Sequence, residues 1–217
     1  AERFNVWVAY LNMENIYGDP PEEAAMNLLG RALQYSNQKK LYLAALGIFQ
    51  RTGRGALCDQ VLKAVCRKFS ESAKVWIRAY AYHLEGDRPD TAKRTLDRAL
   101  SSLPKRKHIK VITQVSIAEY KQGDPDRGRS LFENMLRNYP KRMDLWSVYL
   151  DQEIKTGDVQ RCRGLFERAT HMQLPPKKMK FLFKRFLDFE KQHGTAGDVA
   201  HVKQRAIEFV ESINPTA

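Results

Sequence analysis

One spacing, recurring at intervals of 34 to 37 residues, constrains this chain more than any other feature. A chain written on one short period is a stack of one structural unit. The template reads aromatic, a second aromatic three residues on, Glu seven on and Gly eleven on. Trp146, Tyr149, Glu153 and Gly157 carry it, as do Trp7, Tyr10, Glu14 and Gly18, and again Phe183, Phe186, Glu190 and Gly194. Ile112, Val115, Glu119 and Gly123 keep the spacing with aliphatics in the first two places. Tyr42, Ala45, Phe49 and Gly53 follow it more loosely, and Trp76 to Gly86 follows it with one residue deleted. The units therefore start near residues 7, 42, 76, 112, 146 and 183.

Offsets of three and seven place side chains on one face of a helix. The closing Gly suits a helix C-terminus, where a left-handed residue is wanted. A second amphipathic stretch follows each Gly. It holds a small residue (Cys58, Ala92, Gly128, Cys162) and then apolar pairs such as Val61-Leu62, Leu131-Phe132 and Leu165-Phe166. Val65, Ala99, Met135, Ala169 and Ala206 complete its stripe, and Pro104, Pro140 and Pro175-Pro176 stand just beyond, where the chain must turn. Each unit thus reads as a helix hairpin, which cannot bury its apolar face alone but can do so when stacked. No stretch alternates with period two. The expected fold is all-α: an α-α superhelix, or solenoid, of about six helix hairpins forming one domain over residues 1–217. Trp7, Tyr10, Glu14, Trp76, Glu119, Trp146, Tyr149, Glu153, Phe183, Phe186 and Glu190 are the expected repeat-packing residues. The repeated Glu positions read as structural carboxylates bonding a neighbouring repeat's Tyr, Arg or backbone.

Charge is the second constraint. The chain carries 37 Lys and Arg against 25 Asp and Glu, a net of +12. Residues 1–38 hold five acids and two bases, a net of −3, so residues 39–217, with 35 bases and 20 acids, hold +15. The bases gather where one hairpin hands over to the next. The groups are Lys39 and Lys40; Arg67 and Lys68, with Lys74 nearby; Lys105, Arg106, Lys107 and Lys110; Lys141 and Arg142; and Lys177, Lys178 and Lys180. Equivalent connectors of a solenoid share an edge, so these positions are candidates for tracking an extended polyanion. Tyr42, Trp76 and Trp146 follow the clusters closely and offer themselves as stacking platforms, or as core. The clusters also fit a merely solvated edge, since helix C-termini favour Lys and Arg.

Nothing in the chain argues for an enzyme, and no catalytic, cofactor-binding or metal-binding residue is assigned. His83, His108, His171, His193 and His201 form no ligand-spaced cluster, and no phosphate-loop or nucleophile-elbow motif occurs. Cys58, Cys66 and Cys162 are too few and scattered for a disulfide framework, which fits a reducing compartment. No apolar run approaches the roughly 18 residues of a membrane span, so no membrane partner is expected. The chain starts at Ala1 rather than an initiator Met and is expected to begin within a longer protein.

Trp-x2-Tyr-x3-Glu in the first helix of a 34–37-residue hairpin resembles the half-a-TPR (HAT) repeat of RNA-processing assemblies. The Leu-Gly-x2-Tyr of ordinary tetratricopeptide repeats is missing. More specific are the stretch from Tyr139 to Tyr149, then Leu165-Phe-Glu-Arg-Ala169, then the stretch from Pro176 to Gly194. These resemble the C-terminal HAT region of the S1-and-HAT-repeat ribosomal-RNA-biogenesis family, with a likeness running the full chain and none of that family's S1 domains. The resemblance implies a nucleolar, non-catalytic scaffold. It would bind pre-ribosomal RNA and small-subunit processome or pre-ribosome proteins, without a cofactor. The alternative reading is a purely protein-binding HAT/TPR-like scaffold with no RNA contact. Oligomeric state is not legible in the sequence.

Overall fold

The computed structural model describes residues 2–213, and the chain divides into two compact units, Ala1–Gly123 and Asp124–Ala217. The division falls inside the fourth sequence repeat. Among the described residues there are twelve α-helices, a short 3-10 turn and no strand. Each of the six repeats supplies two of the helices, so the chain is an all-α helix-hairpin repeat protein.

The first unit holds α1 (Glu2–Tyr17), α2 (Pro21–Tyr35), α3 (Gln38–Arg51), α4 (Gly55–Lys68), α5 (Ala73–Glu85), α6 (Pro89–Ser102), the turn Lys105–Lys107 and α7 (His108–Gln122). Within it α1 pairs with α2, α3 with α4 and α5 with α6. First helices also meet first helices, α1 against α3 and α5 against α7. The second unit holds α8 (Pro125–Asn138), α9 (Met143–Thr156), α10 (Val159–Thr170), α11 (Pro176–His193) and α12 (Ala196–Ile213). There α8 packs on α9, α9 on α10, α10 on α11 and α11 on α12.

The helix boundaries follow local chemistry. Proline opens α2, α6, α8 and α11, at the position where a missing N–H costs nothing. Asn37 caps α3 by accepting from the Lys40 amide at 3.1 Å, and Asp158 caps α10 by accepting from the Arg161 amide at 3.0 Å. Thr195 and Asp198 cap α12 reciprocally: the Thr195 amide donates to the Asp198 carboxylate at 2.8 Å and the Asp198 amide to Thr195 Oγ1 at 3.3 Å.

Four of the closing glycines show two different roles, and only one is the role the sequence suggests. Gly53 (φ +70°) and Gly157 (φ +79°) are left-handed terminators. Gly123 and Gly194 are not left-handed. They are glycines because a carboxylate fills the space of a side chain: a Cβ at Gly123 would lie 2.1 Å from Glu119 Oε2, and one at Gly194 the same 2.1 Å from Glu190 Oε2. At these two positions the Glu at +7 and the Gly at +11 are therefore one packing device, whereas Gly157, after Glu153, has open space where a Cβ would stand.

Candidate nucleic-acid interface

The core determines what each connector can present. Trp76 and Trp146 are 3% and 4% exposed, so neither offers a face on which a base could stack. Each indole N–H instead donates to a carbonyl of the connector six residues upstream, Trp76 to Ser70 at 2.6 Å and Trp146 to Pro140 at 2.7 Å. An arginine of the same hairpin's second helix covers each ring: Arg98 lies 5.6 Å from the Trp76 centroid and Arg168 lies 5.7 Å from that of Trp146. The stacking platform open in the sequence is thus excluded for both tryptophans, because burying an indole requires a partner for its N–H. Tyr42 is half-buried.

The +3 position differs between the units. In the second unit Tyr149 stacks on Phe132 of the preceding helix at 4.9 Å, and Phe186 on Phe166 at 5.0 Å. Phe183 is buried beside them, with its ring 5.9 Å from Phe209. In the first unit Ala45 and Ala79 stand at +3 and are buried. Trp7 is half-buried and stacks on Tyr35 at 6.2 Å. Tyr10 departs from the packing expectation and is 37% exposed. It precedes every second helix of the chain, so the phenylalanine on which Tyr149 and Phe186 stack has no counterpart for it.

The repeated carboxylates are held from the preceding helix pair. Glu153 is 1% exposed and accepts from Arg129 of α8 at 2.7 and 3.1 Å. Glu190, also 1% exposed, accepts from Arg163 of α10 at 2.7 and 2.8 Å. Glu119 is equally buried and accepts from the Tyr80 hydroxyl of α5. Glu14 is half-buried, under Gly18. Two-pronged arginine contacts offset the cost of burying a carboxylate. Sequence reasoning missed Arg129 and Arg163, although the signal was present: each directly follows the small residue of its second helix, Gly128 or Cys162.

The connector lysines behave differently from these arginines. In the first unit Lys39, Lys68, Lys74, Lys107 and Lys110 line one shallow groove over the stretch from Phe69 to Ala73. Five lysines from three successive handovers thereby line one groove, and Glu71 is the one acid in its lining among the described residues. Lys107 Nζ donates to the Glu71 carbonyl at 2.5 Å. Lys40, Arg67, Lys105 and Arg106 are exposed outside that groove. In the second unit Lys141, Lys177, Lys178 and Lys180 are exposed. Arg142 is exposed but engaged, its Nε donating to Asp144 Oδ1 at 3.0 Å. None of these lysines forms an ion pair among the described residues. A lysine ammonium is a solvated point charge suited to phosphate, whereas the planar arginine fork suits fixed carboxylates.

Other chemistry is sparse. Cys58, Cys66 and Cys162 are buried, and burial pushes the Cys66 and Cys162 thiols up to about 11. No group of three His, Cys, Asp or Glu side chains among the described residues could hold a metal ion. No helix there is long and apolar enough to cross a membrane.

This architecture, in which buried first-helix glutamates are gripped by the preceding repeat, defines a helix-hairpin repeat protein of the HAT class. The family model for the pre-mRNA-splicing factor Syf1/CRNKL1 C-terminal HAT repeat matches residues 126–216, nearly the whole second unit. The chain belongs to the RRP5 family of rRNA biogenesis proteins, as a HAT-repeat segment. It is 51% identical over 211 residues to the Arabidopsis thaliana rRNA biogenesis protein RRP5, covering 97% of this chain and 11% of that protein. The Mus musculus RRP5 homolog is 41% identical with the same coverage, and the Schizosaccharomyces pombe rRNA biogenesis protein rrp5 is 39% identical over 96% of this chain and 12% of that protein. The chain thus spans about a tenth of the length of these relatives.

Proposed function

We propose that residues 1–217 act as a non-catalytic scaffold in ribosomal-RNA biogenesis, working in the nucleolus. The segment holds pre-ribosomal RNA on its connector lysines and small-subunit processome proteins on other surfaces. The observation that carries the RNA reading is the convergence of Lys39, Lys68, Lys74, Lys107 and Lys110 on one groove without ion-pair partners among the described residues. The names of the relatives supply the setting, rRNA biogenesis.

The groove is shallow and open, so it suits phosphates passing over it rather than a small molecule enclosed within it. Five lysines each meeting one phosphate of a single strand give a log–log salt slope of about −3.5. Lys141 and Lys178 extend the same chemistry in the second unit, and Arg142 contributes less because Asp144 already occupies it.

The test is fluorescence anisotropy of the chain with an unstructured single-stranded RNA at several salt concentrations. K68E/K74E/K110E alters three exposed side chains. It should weaken binding at least about tenfold and flatten the salt slope by about 2, with an unchanged thermal midpoint. K141E/K178E should weaken binding less. Unchanged affinity in K68E/K74E/K110E would reject the RNA edge and leave the purely protein-binding scaffold.

A further inference from the structure

The second unit carries an apolar surface that the RNA reading does not use, although two lysines on its rim, Lys177 and Lys180, also belong to the last connector cluster. Between α11 and α12 runs an apolar groove floored by Phe183, Leu187, Val202 and Phe209 and flanked by Ile207 and Val210. Ile207 and Val210 are 51% and 53% exposed, and Ile213, at the end of the groove, is 41% exposed. Of the 18 residues of α12 only Val202 is buried, whereas α10 buries five of its 12.

The other second helices show what kind of object covers such a face. Within their units α2 is packed by α3, α4 by α5, α8 by α9 and α10 by α11. In each case the cover is the next helix. The groove lining along α11 runs from Pro176 to Leu187, about 18 Å of helix axis, so the face matches an occupant of three to four turns.

Charge selects the occupant. Lys177, Lys180, Lys184 and Lys203 rim the groove, and no acidic residue lines it. None of the four is ion-paired among the described residues, whereas Arg129, Arg142, Arg161, Arg163, Arg168, Arg185 and Arg205 of the same unit all are. We infer that the α11–α12 groove docks an acidic amphipathic helix from a partner protein. The partner's apolar stripe covers α12 as the following helix covers each of α2, α4, α8 and α10, and its flanking carboxylates meet the four lysines.

The test titrates the chain with two labelled helical peptides of about 18 residues, both with Leu at i, i+3, i+4 and i+7. One carries Glu on the flanks and the other carries Lys. The acidic peptide should bind at least about tenfold more tightly than the basic one. I207D/V210D, at half-exposed positions, should weaken it at least about tenfold, and K180E/K184E should reverse the preference between the peptides. If I207D/V210D lowers the thermal midpoint, K180E/K184E, which alters exposed side chains only, decides alone. Equal binding of both peptides, or binding of neither, overturns the inference. So does concentration-dependent sedimentation abolished by the same substitutions, which would seat a second copy on the face. Capture by phosphatidylserine vesicles without peptide binding would assign the face to a bilayer and overturn it too. K68E/K74E/K110E should leave peptide affinity unchanged, so loss of RNA binding and loss of peptide binding are read separately.

Discussion

The two units build the same hairpin with different chemistry at equivalent positions. In the second unit, an arginine one residue past the small position of a second helix grips the next repeat's buried glutamate, as Arg129 grips Glu153 and Arg163 grips Glu190. In the first unit, Asp59 holds that arginine position, and the nearest counterpart of the glutamate is His83. Asp59 turns outward to Arg88 at 3.3 Å, and His83 Nδ1 is buried without a hydrogen-bond partner. One repeat earlier Phe49 stands at the glutamate position, fully buried. The aromatic stack of the second unit is likewise replaced by Ala45 and Ala79. The family model covers nearly the whole of the arginine–glutamate unit and none of the other. A repeat's geometry thus outlasts its signature when size and burial are kept and polar pairing is exchanged for apolar contact.

The strongest way to break this comparison is to remove one partner in each unit. Arg163→Met strips the two-pronged contact from a carboxylate 1% exposed and should cost about 3–5 kcal/mol in denaturant unfolding. Tyr80→Phe removes one hydrogen bond to Glu119 and should cost about 1–2 kcal/mol. Equal losses would show that arginine pairing is not what distinguishes the second unit.

Glycine substitutions come next and should differ in sign. Gly194→Ala drives a methyl onto Glu190 Oε2 and should destabilise by about 1–3 kcal/mol, with Gly123→Ala behaving alike in the first unit. Gly30 and Gly164 lie inside helices with nothing within 4 Å of an added Cβ. Alanine at either should stabilise by about 0.5–1 kcal/mol, read as a rise in thermal midpoint. The tryptophan clamps sharpen the shared part of the design. Trp76→Phe and Trp146→Phe each lose one indole hydrogen bond to a connector, and each should cost about 1 kcal/mol plus lost packing.

The smallest effects separate the units by pH. Burial holds the His83 imidazole below its ordinary 6.5. The unfolded chain therefore takes up that proton first, and stability falls as pH drops below about 6.5. The Arg168 hydrogen bond holds the Glu133 carboxyl below its ordinary 4.5. Its contribution is complete above the unfolded value and disappears as pH falls through the depressed one. H83Q should flatten the stability profile at mildly acidic pH, and E133Q should flatten it only below about 4.5.

The period, the hairpins and most helix ends were legible because they rest on nearest-neighbour rules: offsets of three and seven, proline at a first turn, glycine at a last one. The burial of Trp76 and Trp146 was one of two readings, since an aromatic beside a basic cluster fits a core and a nucleic-acid face alike. The sequence suggests a conformational role for Gly123 and Gly194 and the structure shows a steric one, because the spacing of Glu and Gly is the same whether or not the carboxylate folds over the helix end. Arg142 and Lys141 look interchangeable as letters. Only the folded chain shows that Asp144 has taken one of them. The α11–α12 groove is not legible in the sequence because Lys177 and Lys180 read there as part of a connector cluster, and only the fold sets them beside Lys184, Lys203 and the open apolar face of α12.

The grip of Arg129 on Glu153 and of Arg163 on Glu190 runs one way along the chain, from earlier residue to later. A polypeptide emerging from the N-terminal end forward therefore has each cation in place before its anion arrives to be buried. Proteolytic trimming has the same polarity: taking repeats from the far end leaves an arginine without its glutamate, whereas taking them from the near end leaves a glutamate without its arginine.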